Sequence, residues 1–335
     1  MLAASLPGRS DSATRDDGMT SRRATSASAL RRELAWFIGL AFAATYALAA
    51  IAAARGGLGA FPVMPLGMLT PMLAALFVQR FIAKRPILGR EGLGFRWGRL
   101  RYWILAPAGM VALWAAVFVV SYFVHPGAYA TWSGVAANVM RLKNVPGSAA
   151  TPEGKLIAAY ALTLVVAPFL NLPIFLGEEV GWRGFMTPRL IALFGRRGLL
   201  VSGVIWALWH TPFIFLGLNY PTHAAIGHVI WIPFCVCFGI LLQTAVARSG
   251  SIFPAALAHG ITNQAAGLTV GLVIVDARYY DLLDGPAGLI ALLCVLVPAV
   301  YFYRRFPVAA VAGRGAVRGG DDGRADQPRE RPQPT

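Results

Sequence analysis

The chain has fifteen acidic residues, and thirteen of them read as lying in tails or loops. The other two, Glu178 and Glu179, stand side by side at the end of a long apolar run. A carboxylate in hydrocarbon costs at least about 2.5 kcal/mol, and two adjacent ones repel each other. Solvation just beyond the membrane is the bland explanation for such a pair. The spacing argues for more. Arg183 follows Glu179 by four residues, with the acid first, which is the better order for a helical ion pair. Glu178 points about 100° away around the same helix and lacks that partner. Two carboxylates in different surroundings can divide into a working base and a structural ion.

Two of the five histidines lie inside apolar runs. His210 closes Trp206-Ala-Leu-Trp-His210, and His259 opens His259-Gly-Ile-Thr-Asn263. His125, His223 and His228 fall at run edges or in a loop and read as interfacial. Buried polar residues can serve only to join membrane helices. Three features point further. His259 and Asn263, four apart, share one helix face. Trp206 lies four residues before His210 and forms an aromatic wall beside it. Depth is the third: Glu178 is 11 residues before Arg189, His210 is 13 after Arg197, and His259 is 11 after Arg248. At 1.5 Å per residue, each lies about 16–20 Å of helix from a basic end.

These groups have coherent chemistry. A carboxylate can take a proton from water. An imidazole can hold that water or donate to a leaving amine, and an amide can donate to an oxyanion. The set suits hydrolysis of a peptide bond. Glu178, His210 and His259 could also form a zinc site with an open fourth position, although a His-Glu-x-x-His motif is absent. The residues leave a zinc centre and a metal-free centre both open.

The elements that position these residues must be membrane helices. The chain is 57% hydrophobic and only 13% charged, against about 25% charged in soluble domains. Its mean hydropathy is +0.59. Eight apolar runs fall at about 34–54, 62–83, 102–124, 156–182, 198–218, 226–247, 252–275 and 286–303, most of them long enough to cross a bilayer core. The fourth holds Pro168 and Pro173, which predict a kink or an early exit. The division is a basic disordered tail over 1–33, a membrane domain over 34–303 and a second disordered tail over 304–335.

The net charge of +15 does not indicate nucleic acid. Twenty-five of the thirty Lys and Arg fall in the tails and alternate loops, which predicts cytoplasmic tails and an even number of spans. Cys235, Cys237 and Cys294 all lie in apolar runs and imply no disulfide. The expected fold is all-α and polytopic, with about eight transmembrane helices.

Three motifs in order carry a family resemblance. Glu178-Glu179-Val-Gly-Trp-Arg183 fits Glu-Glu-x-x-x-Arg. Trp206 to His210 fits aromatic-x-x-x-His, with Trp where Phe is usual. His259 to Asn263 fits His-x-x-x-Asn. Over residues 156–275 the chain resembles the CPBP family of CAAX proteases and bacteriocin-processing enzymes, also called the Abi family. The resemblance implies an intramembrane endopeptidase of metallo- or glutamate type. It implies Glu178 as the base, with His210, His259 and Asn263 completing the site and stabilising the oxyanion. Eukaryotic relatives remove the last three residues of prenylated proteins. The Ala-, Gly- and Arg-rich composition reads as bacterial, which implies an inner (plasma) membrane location and another membrane-associated or lipidated substrate. That substrate would enter from the cytoplasm or the bilayer. Two other readings use the same residues: a non-catalytic scaffold or regulator of this fold, and a transporter with Glu178 as its proton site. No internal repeat supports the transporter.

Overall fold

The computed structural model describes residues 26–59, 62–89, 92–126, 153–272 and 279–315. Most of both expected tails, 1–25 and 316–335, lies outside them. Every regular element among the described residues is helical.

Helix α1 runs Ala27–Ala54, capped by the Ser26 side chain, which accepts from the Ala29 N–H. Helix α2 is Val63–Phe77 and continues through a wider π turn, Val78–Ile82. Helix α3 is Tyr102–Val124, α4 Glu153–Leu170 and α5 Leu172–Glu179. A π segment, Val180–Met186, joins α5 to α6 (Thr187–Phe194). Then come α7 (Arg197–Trp209), α8 (Thr211–Phe215), α9 (Ala224–Ser249) and α10 (Phe253–Leu272). The chain closes with α11 (Tyr280–Leu283), α12 (Leu289–Arg304) and α13 (Val308–Gly315).

Four of these helical stretches are long and apolar enough to cross a membrane: Ala27–Ala54, Val63–Ile82, Tyr102–Val124 and Ala224–Ser249. A fifth span results if Leu162–Leu170 and Leu172–Phe194 are taken together across their 67° bend. The sequence had suggested eight continuous runs. Two of those runs are broken where proline interrupts them. Pro173 sits in the first turn of α5, just past the bend at Asn171. Pro212 sits in the first turn of α8, just past His210. Proline lacks an N–H and clashes with the preceding turn, so the helix restarts instead of continuing. The apolar helices Arg197–Trp209 and Leu289–Arg304 are shorter than a full span.

The helices pack as neighbours around the glutamate motif. α2 lies against α1 and α5, α9 against α7 and α12, and α10 against α3 and α4. The approach of α5 to α2 is backbone-close. A Cβ on Gly177 would lie 2.5 Å from the Met68 carbonyl oxygen, and one on Gly181 would lie 2.4 Å from the Pro71 ring. Only glycine admits this contact, and it holds the motif in place.

One end of the bundle gathers the 83–101 loop and the 249–252 turn. The Arg99 N–H donates to the Ser249 carbonyl at 2.8 Å, and the Ile252 N–H to the Gly94 carbonyl at 3.2 Å. Glu33, assigned from sequence to the tail, is instead a buried residue of α1 at this end. It binds Arg85 at 2.9 Å and Arg189 at 2.8 Å. At the opposite end Asp281 pairs with His223 at 2.8 Å. Asp284 pairs with His125 at 2.7 Å and accepts from the Ser121 hydroxyl. These carboxylates and histidines do lie near helix ends, but the acids are buried and paired, not solvated.

Candidate active site

Glu178 and Glu179 occupy the last turn of α5 and are both buried. Their environments differ as the spacing requires. Arg183 Nη1 donates to Glu179 Oε1 at 3.2 Å, and the His259 Nδ1–H donates to the same oxygen at 2.8 Å. Glu179 therefore faces a cation on its own helix and an imidazole on α10. Glu178 turns to a different set. Its Oε2 accepts the Trp206 indole N–H at 2.7 Å and the Trp182 indole N–H at 3.3 Å. Among the described residues no protein group bonds its other oxygen.

His210 sits where α7 stops and α8 begins, so its environment depends on the Pro212 break. The backbone N–H of His210 reaches the Ala207 carbonyl at 3.1 Å, a tightened last turn. The Trp206 carbonyl thereby loses its usual i+4 donor. The imidazole supplies one: Nδ1 lies 2.9 Å from that oxygen. A carbonyl can only accept, so Nδ1 carries the proton and Nε2 keeps its lone pair.

Aromatic rings lock the two imidazoles. The Trp206 ring centroid is 5.6 Å from both the His210 and His259 rings. Trp209 and Trp231 flank His210 at 4.6 and 4.9 Å. Phe238 and Phe175 flank His259 at 5.7 and 6.0 Å. The Arg183 guanidinium lies 3.9 Å from the Trp206 ring. Arg183 thus supports Glu179 through charge and Trp206 through its face, which places it behind both carboxylates.

A cavity of about 270 Å³ brings Glu178, His210, His259 and Asn263 together. Glu179 and Arg183 do not line it and act from behind. Trp206, Trp231 and Phe238 form much of the apolar wall, and Asn219 and Pro286 stand at the far-end loops. Tyr220 ties those loops together, since its hydroxyl donates to the Ala287 carbonyl at 2.6 Å. Asn263 is an exposed residue and extends its amide into the same space.

Sequence reasoning treated Trp206 as a wall and passed over Trp182. Both are donors to Glu178. The signal for Trp182 was present: it stands four residues after Glu178, as Arg183 stands four after Glu179. The zinc alternative fares differently. Among the described residues no three His, Cys, Asp or Glu side chains are gathered closely enough to hold a metal ion. Nδ1 of each site histidine is engaged with protein, which leaves Nε2 as the ring nitrogen open to another partner.

Among the described residues the fold is all-helical with four candidate membrane spans, and it gathers a buried carboxylate, two imidazoles and an amide around one cavity. Residues 154–265 match the family model of the type II CAAX prenyl endopeptidases, Rce1-like, so the chain carries an Rce1-like domain of the CPBP family. The matched stretch contains all six candidate residues. No curated protein matches the chain.

Proposed function

We propose that this protein is an intramembrane endopeptidase that hydrolyses a peptide bond in a membrane-associated or lipidated protein or peptide. Supporting this reading above all is Glu178: one carboxylate oxygen is pinned by two indole N–H groups, and the residue shares a cavity with His210, His259 and Asn263. The pinned oxygen fixes the carboxylate plane. The second oxygen accepts a proton from a water in the cavity, which attacks the substrate carbonyl carbon. The His210 Nε2 lone pair holds that water. The developing oxyanion takes the Asn263 amide N–H. His259 is anchored to Glu179 through Nδ1 beside the reacting carbonyl, and Glu178 passes the proton it took from water to the leaving amine as the C–N bond breaks. Glu179 and Arg183 keep that imidazole in place.

In this reading eight segments cross or enter the bilayer, both tails face the cytoplasm and the host membrane is a bacterial inner membrane. The arginine-rich chain ends and loops support that topology.

Proteolysis of tagged membrane and lipidated peptides by protein in liposomes tests the proposal. Cleavage by the wild type that is lost in Glu178→Gln supports it. Equal cleavage by both proteins removes Glu178 from the base role. Activity unaffected by a chelator is the expected result for a metal-free site.

A further inference from the structure

A second, smaller cavity lies at the arginine-rich end, where the 83–101 loop meets the 249–252 turn. Its volume is about 40 Å³. It is lined by Arg85, Arg96, Arg183, Arg189, Gln79 and Gln243, with no acidic residue among its described lining. Arg183 and Arg189 are buried at its floor, while Arg85 and Arg96 are half-buried nearer the surface.

Glu33 serves both Arg85 and Arg189, and Glu179 serves Arg183. Four guanidinium groups line the cavity, beside these two carboxylates of the described residues. Arg96 is the cation with no carboxylate partner among them, and its Nε–H is buried without an acceptor. Gln243 is 1% exposed, and its amide oxygen finds no donor. The Arg96 Nε–H is a buried donor left unmet, which costs about 1–3 kcal/mol, so at this atom the cavity favours something that accepts.

Size and charge restrict the class of ligand. A cation is repelled by four guanidinium groups. A peptide or nucleotide is too large. One water needs roughly 10–15 Å³ of such space, so a compact tetrahedral oxyanion fits. Guanidinium forks suit phosphate oxygens in particular.

The location adds an independent observation. Trp97 is 73% exposed beside this loop and packs on Trp103 at the start of α3, with centroids 5.4 Å apart. Exposed tryptophan at a span end marks the membrane–water interface. Phosphate groups of lipids lie at that level, and basic pockets between membrane helices there bind anionic headgroups. We propose that this cavity is a phosphate-binding site, taking the phosphate of an anionic phospholipid headgroup or free phosphate.

The test uses the full-length protein and a thermal-shift readout, which is independent of proteolysis. Failure here would therefore leave the endopeptidase proposal standing. In detergent, inorganic phosphate is compared with chloride at equal ionic strength. In nanodiscs, phosphatidic acid in phosphatidylcholine is compared with phosphatidylcholine alone. The expected result is a rise in Tm of roughly a few degrees with at least one phosphate source. Arg96→Gln should weaken that binding about tenfold or more, and Arg96→Leu should abolish it. A response to phosphatidic acid alone identifies the headgroup as the source. A response to inorganic phosphate as well identifies a general phosphate site. No rise with either, or an equal rise in wild type and both variants, overturns the proposal.

Discussion

The Trp206 indole N–H donates to Glu178 Oε2 at 2.7 Å, joining α7 to the glutamate motif across 28 residues of sequence. The same ring carries the Arg183 guanidinium on its face and stands between the two site histidines. One side chain therefore contacts Glu178, the counter-ion of Glu179 and both imidazoles. Where the aromatic position of this motif is Phe, that hydrogen bond cannot form.

Trp206→Phe should keep the aromatic wall and lose only the donor. A hydrogen bond to a charged group contributes about 1.5–3 kcal/mol, so kcat should fall roughly tenfold to a hundredfold with KM little changed. Steady-state proteolysis of one model peptide measures both. A change confined to KM would mean that the indole serves substrate binding and not the base.

Glu178→Gln retains volume and an oxygen that accepts both indole donors. The fold should survive, with Tm within about 2 °C of wild type given the preserved bonds. Turnover should vanish because the amide takes no proton from water. Thermal melts alongside proteolysis separate these effects, and residual turnover near wild type would contradict the assignment.

Glu179→Gln should act on stability first. It removes the counter-charge of buried Arg183 and the anionic acceptor of His259 together. Breaking a buried pair by removing one partner costs about 3–5 kcal/mol. A drop in Tm of several degrees is expected in detergent, and an unchanged Tm would show that the ion pair carries no net stability.

Asn263→Ala should lower kcat more than it raises KM. The amide makes no bond that holds the helices together among the described residues, yet it reaches the cavity. A donor used only as charge develops contributes about 2.7–4 kcal/mol in a comparable role. A rise in KM alone would assign Asn263 to substrate binding.

Gly177→Ala tests the helix approach. Its Cβ would meet the Met68 carbonyl at 2.5 Å, so α5 must move away from α2. Overpacking of this kind costs about 1–3 kcal/mol, and the shift displaces Glu178, one residue on. Loss of both Tm and activity is expected. Gly39→Ala is the control, since nothing lies within 4 Å of its Cβ, and it should alter neither.

Much of the candidate site was legible in the sequence. The i,i+4 geometry of a helix is local, so Glu179 with Arg183 and His259 beside Asn263 followed from spacing alone. Charge scarcity did the rest, because carboxylates and imidazoles in apolar runs are costly enough to be conspicuous. The same argument misjudged Glu33, Asp281 and Asp284. Each lies near a run's edge in sequence, where solvation is the cheaper assumption, and each is buried against partners from distant segments.

The amino-acid sequence by itself determined the helical, membrane-embedded character of the chain, the three motifs and the split between Glu178 and Glu179. All of these rest on composition and on contacts within one helical turn or two. The tertiary structure decided the rest: that Trp206 and Trp182 converge on one oxygen, that His259 completes the coordination of Glu179, and that two proline breaks interrupt the expected spans. It also gathered four arginines, Arg183 of the first motif among them, around a second cavity. Such relationships depend on how helices separated by tens or hundreds of residues pack, and packing is set by backbone-close glycines and side-chain shape summed over the whole bundle, which no local spacing encodes.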